Sequence, residues 1–152
     1  MLVDTHCHLA FPDFADEMEA VIDRARQNDV TRIIAIGTGL DDSRTNIALA
    51  ERFPGTVFAA VGIHPCNVSD VTSPDWQEQL TDMAAHPSVV AIGETGTDHF
   101  HAAPEGFTEK EYHALQDEFL AKHLEIASAT GKNLVIHQRE SYAHTIAQLA
   151  PL

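Results

Sequence analysis

The sequence predicts an α/β fold built from parallel strands that alternate with helices. Five short segments are apolar throughout, which is typical of strands buried on both faces of a parallel sheet. Segments with apolar residues at helical spacing lie between them. Successive strands start roughly 25 to 45 residues apart, a distance that suits consecutive βα units. The alternation of the two patterns is what indicates the fold class.

The first half of the chain contains three of the predicted strands, at residues 2–5, 32–37 and 57–62. The helices between them are predicted from apolar side chains that recur at helical spacing. These side chains are Phe14, Met18, Val21, Ile22 and Ala25 in the first helix, and Ile47, Leu49 and Phe53 in the second. Asp41 and Asp42 are expected to cap the second helix, because acidic side chains are favoured at a helix N-terminus.

The second half contains two further strands, at residues 88–93 and 133–137, and three helices. One helix is predicted around Trp76 and Leu80, and the last covers residues 141–149. The long helix between the two strands begins at a capping box formed by Thr108 and Glu111. Gly131 is well placed to end this helix, since glycine readily adopts the left-handed conformation found there.

Composition limits the classes of protein to which the chain can belong. Its 152 residues fit one domain, and 44% hydrophobic with 21% charged residues is typical of a soluble globular protein. We expect no signal peptide and no membrane partner, since no segment approaches the roughly 20 apolar residues that cross a bilayer. The two cysteines form no C-x-x-C motif, which favours a cytoplasmic location. A formal charge of −14 disfavours general attraction to nucleic acid, unless bound cations supply local positive charge.

Two α/β architectures are compatible with these elements. An open doubly wound sheet that binds a nucleotide usually has a glycine-rich turn after its first strand. The corresponding segment here, residues 6–11, has no glycine. In a (β/α)₈ barrel, catalytic groups lie at the carboxyl ends of several strands. Residues that commonly bind metals follow four of the five predicted strands, and this pattern favours the barrel.

The strand ends carry the candidate ligands His6, His8, His64, Glu94 and His137. His6 and His8 are two residues apart, so a strand would direct both imidazoles to one side. In a parallel array the carboxyl ends of the strands meet at the same end of the sheet. Histidines and a carboxylate collected there would suit one or two divalent cations with open positions for water. Such cations lower the pKa of water and polarise phosphoryl or carbonyl oxygens.

The strand ends also resemble the signatures of a known family. The segments, in order, are Asp4-Thr5-His6-Cys7-His8-Leu9, Gly62-Ile63-His64-Pro65, Ile92-Gly93-Glu94 with Gly96-Thr97-Asp98, and Val135-Ile136-His137-Gln138-Arg139. They look like those of the TatD family, metal-dependent deoxyribonucleases of the amidohydrolase superfamily. The resemblance implies a TIM-type barrel and cleavage of DNA phosphodiester bonds, including 3′→5′ exonuclease action on single strands. It implies two divalent metals, which could be magnesium, manganese or zinc.

The resemblance also implies roles for individual residues. His6 and His8 would bind the first metal, His137 the second, and Glu94 would bridge them and serve catalysis. His64, Asp98 and Arg139 would contact the substrate, and the planar guanidinium of arginine suits a bidentate contact with phosphate. Thr97 stands where most family members have an apolar residue. His99 and His101 exceed the usual histidine content, and we expect both to be solvent-exposed loop residues. We assign Cys66 no function, since no base is evident beside it.

The chain is shorter than the barrel that its motifs predict. A (β/α)₈ barrel typically needs about 250 residues, and only about five of eight units are counted here. The later histidine and aspartate that the resemblance implies would lie beyond Leu152. We therefore expect one hydrolase domain over residues 1–152 that lacks the C-terminal part of the barrel. With two open sheet edges, it should self-associate, be marginally folded, or be completed by a partner chain. The inward-facing side chains of Val89, Val90 and Ile92 should then lack packing partners.

Three functions remain open from the sequence. The first is a metal-dependent phosphodiesterase of TatD type that acts on DNA. The second is a hydrolase of the same superfamily that cleaves a carboxylic ester, lactone or amide. Such enzymes often bridge their metals with a modified lysine, and Lys132 does not lie at a predicted strand end. The third is a non-catalytic incomplete barrel that retains metal binding.

Overall fold

The five predicted strands form one parallel sheet, which confirms the α/β fold. The computed structural model describes residues 1–150. The strands follow one another across the sheet in chain order, and each pairs in parallel with its neighbour. They are β1 (Leu2–Cys7), β2 (Val30–Ile36), β3 (Val57–Val61), β4 (Val89–Asp98) and β5 (Asn133–Arg139). Each connection between neighbouring strands contains a helix, as expected for consecutive βα units.

The helices occupy the predicted segments. They are α1 (Met18–Gln27), α2 (Leu40–Arg52), α3 (Trp76–Ala84), α4 (Glu109–Thr130) and α5 (Tyr142–Leu149), with short 3₁₀ helices at Pro12–Glu17 and Pro65–Asp70. The Thr108 hydroxyl accepts a hydrogen bond from the Glu111 backbone N–H at 3.3 Å, and the Glu111 carboxylate accepts one from the Thr108 N–H at 2.9 Å. Gly131 adopts a φ of 65° after α4, so both predicted boundaries of that helix are confirmed. No helix in residues 1–150 is long and apolar enough to cross a membrane.

The main apolar core lies between the sheet and the helices that follow its central strands. Val89 and Ile92 of β4 pack in one cluster with Leu80 of α3 and Ile126 of α4. The sequence predicts that Val89, Val90 and Ile92 face the barrel interior without partners, and for Val89 and Ile92 this is wrong. Ala59 pairs with Val89 and Ala60 with Ala91, so Val90 is an extra residue in the ladder. Such a bulge reverses the alternation of side chains, and it returns Ile92 to the helix-covered face.

The two strands that carry most of the candidate site are longer than predicted. β4 continues through Glu94 to Asp98, and β5 continues to Arg139. Gly96 pairs with His137, and Asp98 pairs with Arg139. The polar residues at this end of the sheet are therefore held by ladder hydrogen bonds rather than by loops. This gives the candidate site a fixed backbone frame.

A buried histidine links α4 to the loop that follows β3. His123 has no exposed surface; its Nε2 accepts a hydrogen bond from the Ile63 N–H at 3.0 Å, and its Nδ1 lies 2.6 Å from the Phe119 carbonyl oxygen. The Trp76 ring stacks beside it, at 5.5 Å between ring centroids. Burial lowers the pKa of His123 to about 4. The imidazole is therefore neutral at pH 7, with its proton on Nδ1.

His123 should make the stability of the fold sensitive to acid. Its pKa in the folded state lies below its unfolded value near 6.5, so the unfolded chain binds more protons between these values. The contribution is complete above pH 6.5 and falls by up to about 3 kcal/mol as the pH drops to 4. In urea unfolding, His123→Gln should be less stable than the wild type at pH 7.5, and the gap should narrow at pH 5. Parallel slopes for wild type and His123→Gln would contradict the assignment.

Candidate metal centre

Side chains from β1, the following turn and β4 meet at the carboxyl end of the sheet. His6 Nε2 lies 3.3 Å from Glu94 Oε2, and His8 Nε2 lies 3.9 Å from the same oxygen. His6 is near the end of β1 and His8 follows the strand by one residue, so both imidazoles reach across to β4. Their nitrogens and the carboxylate oxygen lie within 4.8 Å of one another, as expected of ligands that could share one cation.

A second group of donor atoms surrounds the other oxygen of Glu94. His137 Nδ1 lies 3.2 Å from Glu94 Oε1, and His64 Nε2 lies 3.0 Å from His137 Nδ1. These residues come from the ends of β3, β4 and β5. Glu94 thus lies between the two groups, with one carboxylate oxygen directed at each. This is the geometry expected of a carboxylate that bridges two cations.

The hydrogen bonds of His137 determine which of its nitrogens is free to bind a metal. Its Nε2 lies 2.8 Å from Asp98 Oδ2, and an ionised carboxylate can only accept. Nε2 therefore carries a proton. Nδ1 faces Glu94 Oε1 and is the nitrogen that a metal would use, in place of the proton it donates to that carboxylate. A carboxylate behind a histidine is a common way to fix the tautomer and orientation of a metal ligand.

The imidazole of His64 directs its Nε2, rather than its Nδ1, toward the site. Its Nδ1 accepts a hydrogen bond from the Cys66 backbone N–H at 3.1 Å, so the proton of the neutral ring is on Nε2. That N–H points at His137 and is a donor rather than a metal ligand. Burial, together with the neighbouring His137, lowers the pKa of His64 to about 4, so the ring is neutral at pH 7.

The local charges stabilise the ionised carboxylates. Burial by itself would raise the pKa of Glu94, but the hydrogen bond from His137 and the nearby imidazoles His64 and His6 outweigh it and lower that pKa. Burial would also lower the pKa of His137, but its hydrogen bonds to Glu94 and Asp98 raise it. The pKa of Asp98 falls because hydrogen bonds from His101 and His137 exceed the effect of burial. Glu94 and Asp98 are therefore charged at pH 7.

This donor set fits divalent cations. Imidazole nitrogens and carboxylate oxygens in one cluster suit zinc or manganese, and magnesium through its oxygen donors. His6, His8 and Glu94 could hold one cation, and His137 with Glu94 a second. The side chains of His6 and His8 are 43% and 29% exposed, so the position that they share with Glu94 is open to solvent on one side.

The other predicted site residues have different surroundings. We predict a substrate contact for Asp98, but its carboxylate is fully buried and bonded to His137, because β4 extends to this residue. We therefore assign Asp98 to the positioning of His137. Arg139 ends β5 at the same edge, and its guanidinium stacks 3.7 Å above the Phe100 ring. Its predicted phosphate contact stays a prediction.

The prediction of solvent-exposed loop residues is confirmed for His101, whereas His99 is only partly exposed. His101 is half exposed, but its Nδ1 lies 3.0 Å from Asp98 Oδ2 and 3.6 Å from Cys66 Sγ. His99 is only partly exposed and stacks on His113 at 3.8 Å between ring centroids. The partners of His101 lie 3 and 35 residues away along the chain, so no local pattern could predict the second contact.

Comparison with known proteins places this arrangement in a family. A family model described as TatD related DNase matches residues 3–151. The chain belongs to this family. The TatD relatives place the five-stranded sheet within a TIM-type (β/α) barrel, of which the described residues form about five of eight units.

Two relatives show how far the sequence similarity extends. The 3′-5′ ssDNA/RNA exonuclease TatD of Musicola paradisiaca is 33% identical over 153 residues, which covers 99% of this chain and 54% of the relative. The uncharacterized metal-dependent hydrolase TatD of Mycobacterium tuberculosis is 33% identical over 143 residues, which covers 92% of this chain and 52% of the relative. The chain thus spans about half the length of the curated relatives that it matches.

Solved structures show the same partial correspondence. The crystal structure of YJJV, a TatD homologue from Escherichia coli K12, aligns with a TM-score of 0.86 at 30% identity. The alignment covers 99% of this chain and 55% of that chain. A TatD family hydrolase from Entamoeba histolytica aligns with a TM-score of 0.83 at 18% identity, which shows a likeness of fold alone.

Proposed function

We propose that this protein hydrolyses phosphodiester bonds in DNA with the help of two divalent cations, as a 3′→5′ exonuclease acting on single strands. The observation that carries the proposal is the position of Glu94, which directs one oxygen to His6 and His8 and the other to His137. The name of the Musicola paradisiaca relative, a 3′-5′ ssDNA/RNA exonuclease, supports the choice of substrate.

Each residue of the centre has a distinct task in this reaction. When bound, the cations lower the pKa of water and withdraw charge from the phosphoryl oxygens. Glu94 would bridge the two positions, His6 and His8 would hold one cation, and His137 would hold the other through Nδ1. The Nε2–H of His64 is free to donate a hydrogen bond to a phosphate oxygen once a cation engages His137.

Arg139 and the cations together address the charge of the substrate. The chain carries a formal charge of −14, so a polyanion is attracted only where positive charge is concentrated. Arg139 ends β5, where its backbone pairs with that of Asp98, and its guanidinium lies over the Phe100 ring. Its planar donors suit a phosphate group, and the neighbouring Phe100 ring gives a nucleobase an apolar surface on which to stack.

The structure favours this function over hydrolysis of a carboxylic ester, lactone or amide through a lysine-bridged centre. Lys132 precedes β5, and its Nζ donates a hydrogen bond to the Val89 carbonyl oxygen at 2.6 Å. Val89 begins β4, so this lysine lies at the end of the sheet opposite Glu94. It is therefore too far along the strands to bridge cations between His6 and His137.

The test is release of nucleotides from 3′-labelled single-stranded DNA by the purified chain with Mg²⁺ or Mn²⁺. We expect metal-dependent release that Glu94→Ala reduces to background, because this change removes the bridge. Glu78→Ala, on the surface of α3, is the matched control and should act like the wild type. No release by a chain that binds Mn²⁺ in calorimetry would overturn the proposal and favour a metal-binding protein without turnover.

A further inference from the structure

A third group of donor atoms lies beside the candidate metal centre. Cys66 Sγ, Asp98 Oδ2 and His101 Nδ1 lie within 4.8 Å of one another. They come from the 3₁₀ helix after β3, the end of β4 and the loop after β4. Neither Cys66 nor His101 contributes to the groups around Glu94. A thiol, an imidazole and a fully buried carboxylate thus meet at one point on the rim of the sheet.

The spacing of these atoms is close to that of a tetrahedral metal site. With bonds of about 2.3 Å to sulfur and about 2.0 to 2.1 Å to nitrogen and oxygen, sulfur and nitrogen ligands lie about 3.6 Å apart, and nitrogen and oxygen ligands about 3.4 Å apart. Here Cys66 Sγ is 3.6 Å from His101 Nδ1, and His101 Nδ1 is 3.0 Å from Asp98 Oδ2. A small outward movement of the exposed His101 ring would complete the site.

The same contacts argue against a thiol nucleophile. In a cysteine–histidine–carboxylate triad, one ring nitrogen faces the sulfur and the other faces the carboxylate. Here Nδ1 of His101 faces both Cys66 and Asp98, so no relay through the ring exists. Burial, followed by the charge and the hydrogen bond of Asp98, raises the pKa of the Cys66 thiol to about 11. Without a cation the sulfur is a neutral, unreactive thiol at pH 7.

We propose that Cys66, Asp98 and His101 form a separate site for one thiophilic divalent cation of the zinc class, with a fourth position open to solvent. Binding replaces the thiol proton of Cys66, which leaves for solvent, and His101 binds through Nδ1 with a proton on Nε2. Thiolate and imidazole ligands select zinc-like cations over magnesium. The proposal concerns binding alone and does not depend on hydrolytic activity.

Asp98 connects this site to the candidate metal centre. Its Oδ2 accepts from both His101 Nδ1 and His137 Nε2, while its Oδ1 accepts from the backbone N–H groups of Phe100 and His101 at 3.0 and 2.9 Å. A cation at Oδ2 would take the place of the His101 proton and would withdraw charge from the carboxylate that orients His137. Occupation of the third site would therefore act directly on a ligand of the centre around Glu94.

Cobalt(II) is the probe for this site, because a thiolate ligand gives it a near-ultraviolet charge-transfer band that nitrogen and oxygen ligands do not. We expect Co²⁺ to produce this band in the purified chain. The chain has two cysteines, and Cys7 packs against an apolar cluster, so Cys7→Ser is the matched control. The band should be lost in Cys66→Ser and kept in Cys7→Ser.

Two further variants separate the site from its neighbours. His101→Ala changes an exposed side chain and should weaken the Co²⁺ affinity reported by the band at least tenfold. His6→Ala/His8→Ala should change that affinity less than twofold. Circular dichroism checks that each variant is folded. The proposal is overturned if visible absorption shows bound Co²⁺ without the charge-transfer band, if the band survives Cys66→Ser, or if His101→Ala leaves its affinity unchanged.

Discussion

Gly96→Ala is expected to lower the free energy of unfolding by about 4 kcal/mol, since it combines backbone strain with a steric clash. Gly96 has a φ of 144°, a conformation that side chains other than glycine rarely adopt. A Cβ atom at this position would overlap the carbonyl oxygen of His137. That oxygen belongs to the paired strand, so it can move away only if the ladder between β4 and β5 is disturbed.

Gly106→Ala separates the clash from the strain. Gly106 also has a positive φ, of 93°, but a Cβ atom there would have no neighbour within 4 Å. Its substitution should cost only about 1 kcal/mol, the penalty of the left-handed backbone alone. Urea unfolding of both variants measures the difference. Equal losses of stability would show that the close approach of Gly96 to the His137 carbonyl oxygen does not add to the cost, which would contradict the geometry described for the site.

The sequence was sufficient to predict most of the fold, because the strands and the long helix carry local signals. A buried parallel strand reads as an apolar run, and residues 32–37, 57–62 and 133–137 have that pattern. The ends of α4 follow from Thr108 and Gly131, whose side-chain and backbone preferences act over three or four residues. Such signals do not depend on distant parts of the chain.

Two features of β4 could not be predicted in this way. Its last residues, 94–98, are polar or glycine, so they do not look like part of a buried strand, although their backbone pairs with β5. The faces of Val89 and Ile92 depend on the bulge at Val90, and that bulge is set by how β3 and β4 pair. Both features arise from contacts between strands that are distant in sequence.

Some residues of the candidate site could be predicted from the sequence, and others could not. His6, His8, Glu94 and His137 could be grouped from the sequence, because parallel strands bring their carboxyl ends together whatever their side chains. The contact between Cys66 and His101 depends on the paths of two loops, which no local pattern specifies. The burial of Asp98 likewise follows from the unpredicted extension of β4. Loop paths and strand ends, rather than the topology, decide which polar groups touch.

Asp98→Asn is expected to weaken Mn²⁺ binding at the centre around Glu94 by about 10-fold to 100-fold, the usual effect of losing the partner of a metal-binding histidine. Both oxygens of Asp98 accept hydrogen bonds, Oδ1 from two backbone N–H groups and Oδ2 from His137. The asparagine side chain has one oxygen, so its NH₂ group would face one of these N–H donors. The substitution also removes the negative charge of Asp98, which helps to raise the pKa of His137.

Asp117→Asn is the matched control for this prediction. Asp117 also accepts a hydrogen bond from a histidine, His144 Nε2 at 2.7 Å, but neither residue belongs to the groups around Glu94. Calorimetry with Mn²⁺ should show weakened binding only for Asp98→Asn. In the metal-free protein, nuclear magnetic resonance should show His137 losing its proton at a lower pH in that variant. Unchanged Mn²⁺ affinity with a shifted pKa would mean that Asp98 sets the charge of His137 without holding it for a metal. Only Asp98 contacts a ligand of the centre. Loss of Mn²⁺ affinity in both variants would therefore contradict a specific role for Asp98 and indicate a general effect of weakening a histidine–carboxylate pair.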